Sequence, residues 1–357
     1  MLPNGVRATD VQTSRARLHV LIAGEPSKPT LLLVHGNVSS ARFFAETMAE
    51  LAADWHCVAP DLRGFGRSQR LPVDALRGLA DFSDDLHALL TETDLIPADR
   101  KVTMLGWSLG GGVAMRYAID HADRLAGLIL ESPASPYGFG GTKDVDGTPC
   151  WPDFAGSGGG TANQAMIERI VAGDRTDESG TSPRKIITTL YGNPPFEIAP
   201  QALDDYVDGI LELAIGADNY PGDSVESPNW PGNAPGARGV NNALSPRYCD
   251  LSGLADIATR PPVLWIRGDA DQIVSDFAAV DLGALGQLGV VPGWPGAEVY
   301  PPQPMVSQTR SVLDRYAEAG GHYWEIVLPG CGHSPHLERP AEFTAALAEF
   351  RSGILTG

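Results

Sequence analysis

One stretch constrains this chain more than any other: KVTMLGWSLGGGVAMRYAIDH, residues 101–121. A mostly apolar run, residues 101–107, meets Ser108, and a helical pattern follows from Leu109 to His121. Apolar residues without alternation fit a strand buried on both faces. A helix that starts one residue after the strand leaves no space for a loop, so the backbone must bend sharply at Ser108. Gly106 and Gly110 remove side chains that such a bend would crowd. Gly111 and Gly112 let the helix begin close to the sheet. The serine oxygen is then held at the carboxyl edge of the sheet. It lies beside a helix N-terminus, whose free N–H groups favour negative charge. G-x-S-x-G between a strand and a helix therefore reads as a nucleophile on a strained turn.

The rest of the chain supplies the sheet this turn requires. Strands are expected at 16–25, 30–36, 56–64, 101–107 and 125–133. Helices are expected after Ser39 or Ser40, with Phe44, Met48 and Leu51 on one face, and at 81–93 and 109–121. That βαβα rhythm implies a parallel sheet covered on both faces, with right-handed crossovers. It stops near Pro133. Residues 133–258 are rich in Gly, Pro, Asn and aromatics, with helical pieces such as 201–216. Disordered chain is poor in tryptophan and tyrosine, so an ordered insertion is expected. The rhythm returns with an apolar strand and its loop at 261–274. A second excursion runs from Ser275 to about Pro304, followed by a helix at 305–320 and a strand at 323–330. A last helix carries Phe343, Leu347 and Phe350 on one face. The core is thus read as 1–132 plus 259–357, with 133–258 inserted.

Composition narrows the functions. The 357 residues carry a formal net charge of −18. Nucleic acid and anionic membrane are repelled at long range and are poor partners. No apolar run reaches the roughly 18 residues of a bilayer span, and the N-terminus lacks an apolar signal core. A soluble, cytoplasmic protein is expected, and a homodimer is compatible with this reading. The four cysteines, Cys57, Cys150, Cys249 and Cys331, are too scattered for a disulfide framework. Reduced thiols are expected; Cys150 and Cys249 share the inserted region and form the one pair that could bridge.

A serine hydroxyl is a weak nucleophile and needs a base. His333 follows the strand 323–330 inside GCGHSPHLERP, with glycines at 330 and 332 to bend the loop. His336 is the rival, and packing is its simpler role. The base needs an acid to fix its tautomer. RGDADQIV places Asp269 and Asp271 after the strand 262–267; Asp271 is preferred, Asp269 reads as a turn former, and Asp276 is third. An oxyanion would need two donors. The Leu109 amide is one. HGNVSS offers Asn37 for the other, with His35 and Gly36 as loop scaffold. No histidine–carboxylate cluster has metal-ligand spacing, so neither metal nor cofactor is expected.

LLLVHGN (31–37), APDLRGFGRS (59–68), GWSLGG, RGDADQIV and GCGHSPHLERPAEF occur in this order at strand ends. In them the chain resembles the α/β-hydrolase superfamily over about 1–132 and 260–357. The resemblance implies an α/β fold with a mostly parallel central sheet, helices on both faces and an inserted cap at 133–258. It makes Ser108, Asp271 and His333 the triad, and the Asn37 and Leu109 backbone the oxyanion hole. Similar haloalkane dehalogenases and epoxide hydrolases carry aspartate at the elbow, where this chain has serine. The function implied is a serine hydrolase acting on a carboxylic ester or lactone of a fairly apolar small molecule. The C–C bond hydrolases of aromatic breakdown, haloperoxidase-like enzymes and non-catalytic ligand-binding relatives share the frame and stand as alternatives. Tyr137, Phe139, Trp151, Phe154, Tyr220 and Trp230 are the aromatic residues expected either to line the substrate site or to form the core of the insertion.

Overall fold

The computed structural model describes residues 2–97, 99–194 and 196–353. Its frame is one sheet of eight strands: β1 (Arg7–Gln12), β2 (Arg17–Ala23), β3 (Thr30–Val34), β4 (His56–Pro60), β5 (Val102–Trp107), β6 (Leu125–Glu131), β7 (Val263–Gly268) and β8 (Tyr323–Leu328). Their spatial order is β1-β2-β4-β3-β5-β6-β7-β8. β2 pairs antiparallel with β1 and with β4, and every later neighbour pair is parallel. Every residue of β3, β4 and β5 is buried, as continuous apolar strands between two helical layers must be. β1 was not foreseen. Its sequence, RATDVQ, lies mostly exposed at the sheet edge and has no apolar alternation to read.

Among the described residues eight α-helices of six residues or more position the rest: α1 (Ala45–Leu51), α2 (Ala80–Glu92), α3 (Leu109–His121), α4 (Gln164–Val171), α5 (Pro200–Leu211), α6 (Leu282–Gln287), α7 (Met305–Glu318) and α8 (Pro340–Ser352). Shorter helical turns lie between them. Three expectations need correction. Ser40 precedes the helical turn Ala41–Phe44, but its hydroxyl makes no capping bond, and Ser39 Oγ donates instead to Gly36 O at 2.7 Å. The helix expected over 201–216 stops at Leu211. Ala214 N–H donates to Gly64 O at 2.9 Å, and Ile215–Gly216 pairs with Tyr220–Pro221, so docking onto the loop after β4 overrides the helical pattern. Phe350 is only partly buried, whereas Phe343 and Leu347 are fully enclosed.

All four cysteines are free and buried, Cys150 and Cys249 included. Among the described residues no helix is long and apolar enough to cross a membrane. The first part of the segment after β6 is bound to α7 and its approach through a buried amide network. Gln303 Nε2 donates to Gly138 O at 3.1 Å, its Oε1 accepts from Gly140 N–H at 2.6 Å, and Gln308 Nε2 donates to Thr142 Oγ1 at 3.0 Å. The two excursions from the sheet rhythm thus pack on each other above its carboxyl edge.

Asp281 stands at the start of α6 and carries a pH dependence. Its Oδ2 accepts from Ala284 N–H at 3.1 Å and Gln303 N–H at 3.3 Å, but Oδ1 is buried without a partner. Burial outweighs the amide bonds and pushes the carboxyl from 3.8 up to about 6. A raised acid pKa means that the folded state binds the proton more tightly than the unfolded chain. The contribution, about 3 kcal/mol by linkage, is fully present below pH 4 and lost as pH rises through about 6. Asp281→Asn keeps an N-capping side chain and cannot ionise. We expect it to exceed the wild type in thermal stability at pH 8 and to match it at pH 3.5. A stability difference that does not change with pH would refute the assignment.

Candidate active site

Ser108 sits at φ 57, ψ −119 between β5 and α3, in a region that side-chain-bearing residues rarely occupy. The surrounding glycines are required by contact. A Cβ on Gly106 would lie 2.1 Å from Gly110 O, and one on Gly110 would lie 2.0 Å from Val34 O. The turn is pinned to β6 by Ser108 N–H donating to Glu131 O at 3.0 Å. Ser108 Oγ makes no capping bond to α3, which leaves it available to the space above.

His333 and Asp271 meet across two strand-end loops. His333 Nδ1 lies 2.8 Å from Asp271 Oδ2, and each side chain is 2% exposed. The other carboxylate oxygen, Oδ1, accepts from Ile273 N–H at 2.8 Å and Val274 N–H at 3.0 Å. Both oxygens of Asp271 are therefore committed. An ionised carboxylate only accepts, so Nδ1 of His333 carries the proton and Nε2 presents a lone pair. Ser108 and His333 both line one cavity of about 560 Å³.

The rejected alternatives each have another task. His336 is fully buried, with Nδ1 2.7 Å from Glu131 Oε1 and its own N–H donating to that oxygen at 2.9 Å. Asp269 Oδ1 accepts from Gly330 N–H at 2.6 Å and joins the β7 and β8 loops. Asp276 accepts from Ser307 N–H and Oγ at the start of α7. His35 is scaffold. Leu62 N–H donates to its Nε2 at 3.0 Å, so Nδ1 carries the proton and donates to Gly36 O at 2.8 Å. Burial lowers its pKa and keeps the ring neutral.

Asn37 and Leu109 line the same cavity as Ser108. Leu109 opens α3, so its N–H has no partner in a preceding turn. Of the six aromatics, Phe139 and Tyr220 line the cavity; Tyr137, Trp151, Phe154 and Trp230 do not. Trp230 packs edge-on against Tyr300 at 4.8 Å and donates to Pro292 O. Trp151 and Phe154 belong to a tight turn in which Phe154 N–H donates to Trp151 O at 3.0 Å. Tyr137 accepts from Arg315 Nη2 at 3.3 Å, toward α7. The walls are mainly aliphatic and small residues, with Ile273 from the loop after β7 and Val280, Leu282 and Leu285 from the second excursion. Among the described residues no Asp, Glu, Lys or Arg lines the cavity.

Sequence reasoning passed over Trp107, which lies one residue before the serine. Its Nε1 donates to His333 O at 2.9 Å and so ties the histidine loop to β5. Glu338 also escaped notice; both its oxygens accept from Gly332 N–H, at 2.9 and 3.0 Å, just before His333. The G-x-S-x-G pattern leaves its second position unrestricted, so it gave no signal for Trp107. Glu338, five residues after His333, had only its nearness as a signal.

A family model described as the alpha/beta hydrolase fold matches residues 29–301. Epoxide hydrolase A of Mycobacterium tuberculosis is 27% identical over 362 residues, covering 96% of this chain and 97% of that protein. The 2-hydroxymuconate semialdehyde hydrolase of Pseudomonas sp. strain CF600 is 34% identical over 123 residues, 34% of this chain and 40% of that protein. Among solved structures, a carboxylesterase from Bacillus subtilis superposes with a TM-score of 0.58 at 14% identity, covering 99% of this chain and 93% of that one. That last likeness is one of fold.

Proposed function

The chain belongs to the α/β-hydrolase family, and on that premise we propose that it is a serine hydrolase of uncharged carboxylic esters or lactones. Ser108 is the nucleophile, His333 the base and acid, and Asp271 the group that orients His333. His333 Nε2 takes the Ser108 proton as Oγ attacks the carbonyl carbon. The Leu109 and Asn37 amides stabilise the oxyanion that forms. Collapse of the intermediate expels the alcohol, which takes its proton from His333. A water deprotonated by His333 then releases the acid from Ser108. The observation that carries this reading is the elbow serine facing the same cavity as an Asp271-bound histidine.

The walls favour a neutral substrate. A buried carboxylate without a charged or multiply donating partner costs several kcal/mol, and among the described residues no Lys or Arg lines the cavity. This weighs against the diketone acids that C–C bond hydrolases cleave. The serine at the elbow weighs against epoxide opening, because the aspartate of that branch is missing.

Two measurements test the reading together. An active-site-directed fluorophosphonate is expected to add one phosphonyl group per chain, on the peptide that contains Ser108. Neutral p-nitrophenyl esters of medium chain length are expected to have a kcat/KM at least about 100-fold above size-matched hemi-esters bearing a terminal carboxylate. Label on another residue, or preference for the charged series, would overturn the corresponding half of the proposal.

A further inference from the structure

The loop bearing Asn37 is held by residues far along the chain. Asn37 Oδ1 accepts the Val38 N–H at 3.0 Å. Its Nδ2 must therefore face the other way, where it donates to Asn241 Oδ1 at 2.9 Å. The Tyr191 hydroxyl lies 3.2 Å from Asn37 O and 2.9 Å from Val38 O. Asn241 and Tyr191 both come from the segment between β6 and β7. Both line the cavity, as do Asn37 and Val38.

What they hold is strained. Val38 sits at φ 47, a left-handed conformation that is a true outlier for a β-branched residue. Such a conformation persists only where its surroundings over-determine it. Here the over-determination comes from the Asn37–Asn241 bond and the Tyr191 hydroxyl. Relaxation of Val38 to negative φ would re-aim the neighbouring peptide units, and with them the Asn37 amide. An oxyanion donor works only if it is aimed before the charge develops.

We infer that Asn241 is a positioning residue: through its bond to the Asn37 side chain it locks the strained 37–38 turn and aims the Asn37 amide at the oxyanion. This rests on reading Ser108 as nucleophile and the Asn37 amide as oxyanion donor. The inserted segment then does more than enclose substrate; it completes the machinery that the core begins.

The test compares wild type, Asn241→Ala, Asn241→Asp, Asn37→Ala and the Asn37→Ala/Asn241→Ala double variant on p-nitrophenyl butyrate. Concentrations are normalised by fluorophosphonate titration, so that unfolded protein does not count. Asn241→Ala is expected to lower kcat roughly 10- to 100-fold with KM within about twofold. Asn241→Asp keeps an oxygen for Asn37 Nδ2 and is expected to recover most of that loss. The double variant is expected to lose no more than the worse single one, because both remove one lock. A wild-type kcat in Asn241→Ala, a rise in KM alone, no recovery in Asn241→Asp, or additive losses would each overturn the inference. Ser108→Ala separates the two levels. If that control is inactive while Asn241→Ala behaves as wild type, only the positioning role fails. If the control is active, the reading beneath it fails.

Discussion

Ser108→Ala is expected to lower kcat for p-nitrophenyl ester hydrolysis by about 10⁶-fold with little change in fold. Three local facts make the substitution clean. The backbone at φ 57 strains alanine no differently from serine, since both carry a Cβ. The hydroxyl makes no capping bond to α3, so the helix loses none. The bonds that shape the turn, Ser108 N–H to Glu131 O and Ala134 N–H to Ser108 O, are main-chain bonds that alanine retains. What disappears is the oxygen proposed to attack. The amides of Leu109 and Asn37 remain, so a residual acceleration of roughly 10³- to 10⁴-fold over water is expected to survive. Steady-state kcat at matched folded concentration, with thermal unfolding as the check on integrity, decides it. A variant that kept one-tenth of the wild-type rate would exclude Ser108 as the nucleophile.

Some of this site was legible in the sequence because its physics is local. The elbow needs a strand, a serine, two clearances and a helix in consecutive residues, and all stand within 101–121. Asp271 and His333 each follow a strand by a few residues, so the sheet alone brings them to one edge. The unforeseen parts depend on contacts between distant residues. Asn241 reaches Asn37 across 204 positions, and Glu131 claims His336 across 205. Neither has a local pattern. The make-up of the cavity walls was left open for a different reason. The six aromatic residues fitted either cavity lining or the core of the insertion; Phe139 and Tyr220 line the cavity, and the other four hold turns or neighbouring loops. Aliphatic side chains of the second excursion took their place, because a neutral cavity needs bulk and no specific chemistry. The edge strand β1 escaped for want of a buried face to impose alternation.

Asp271→Asn is expected to cost about 10⁴ in kcat, and here the direction of its harm follows from the hydrogen bonds. In the wild type both carboxylate oxygens accept: Oδ1 from the Ile273 and Val274 amides, Oδ2 from His333 Nδ1. An asparagine has one accepting and one donating end. Two main-chain N–H groups fix the oxygen at the Ile273–Val274 side, so the amide nitrogen must face His333. The imidazole then accepts at Nδ1 and carries its proton on Nε2. That is the tautomer that cannot take a proton from Ser108. The loop geometry is kept, since the two amide bonds to residue 271 survive, so KM and thermal stability are expected to change little. Raising the pH should restore activity, because hydroxide can substitute for the missing base; the wild-type profile is expected to lack that rise. A variant with wild-type kcat at neutral pH would show that Asp271 does not set the His333 tautomer. It would return Asp269 and Asp276 to consideration, though each is already bound elsewhere, to Gly330 and to Ser307.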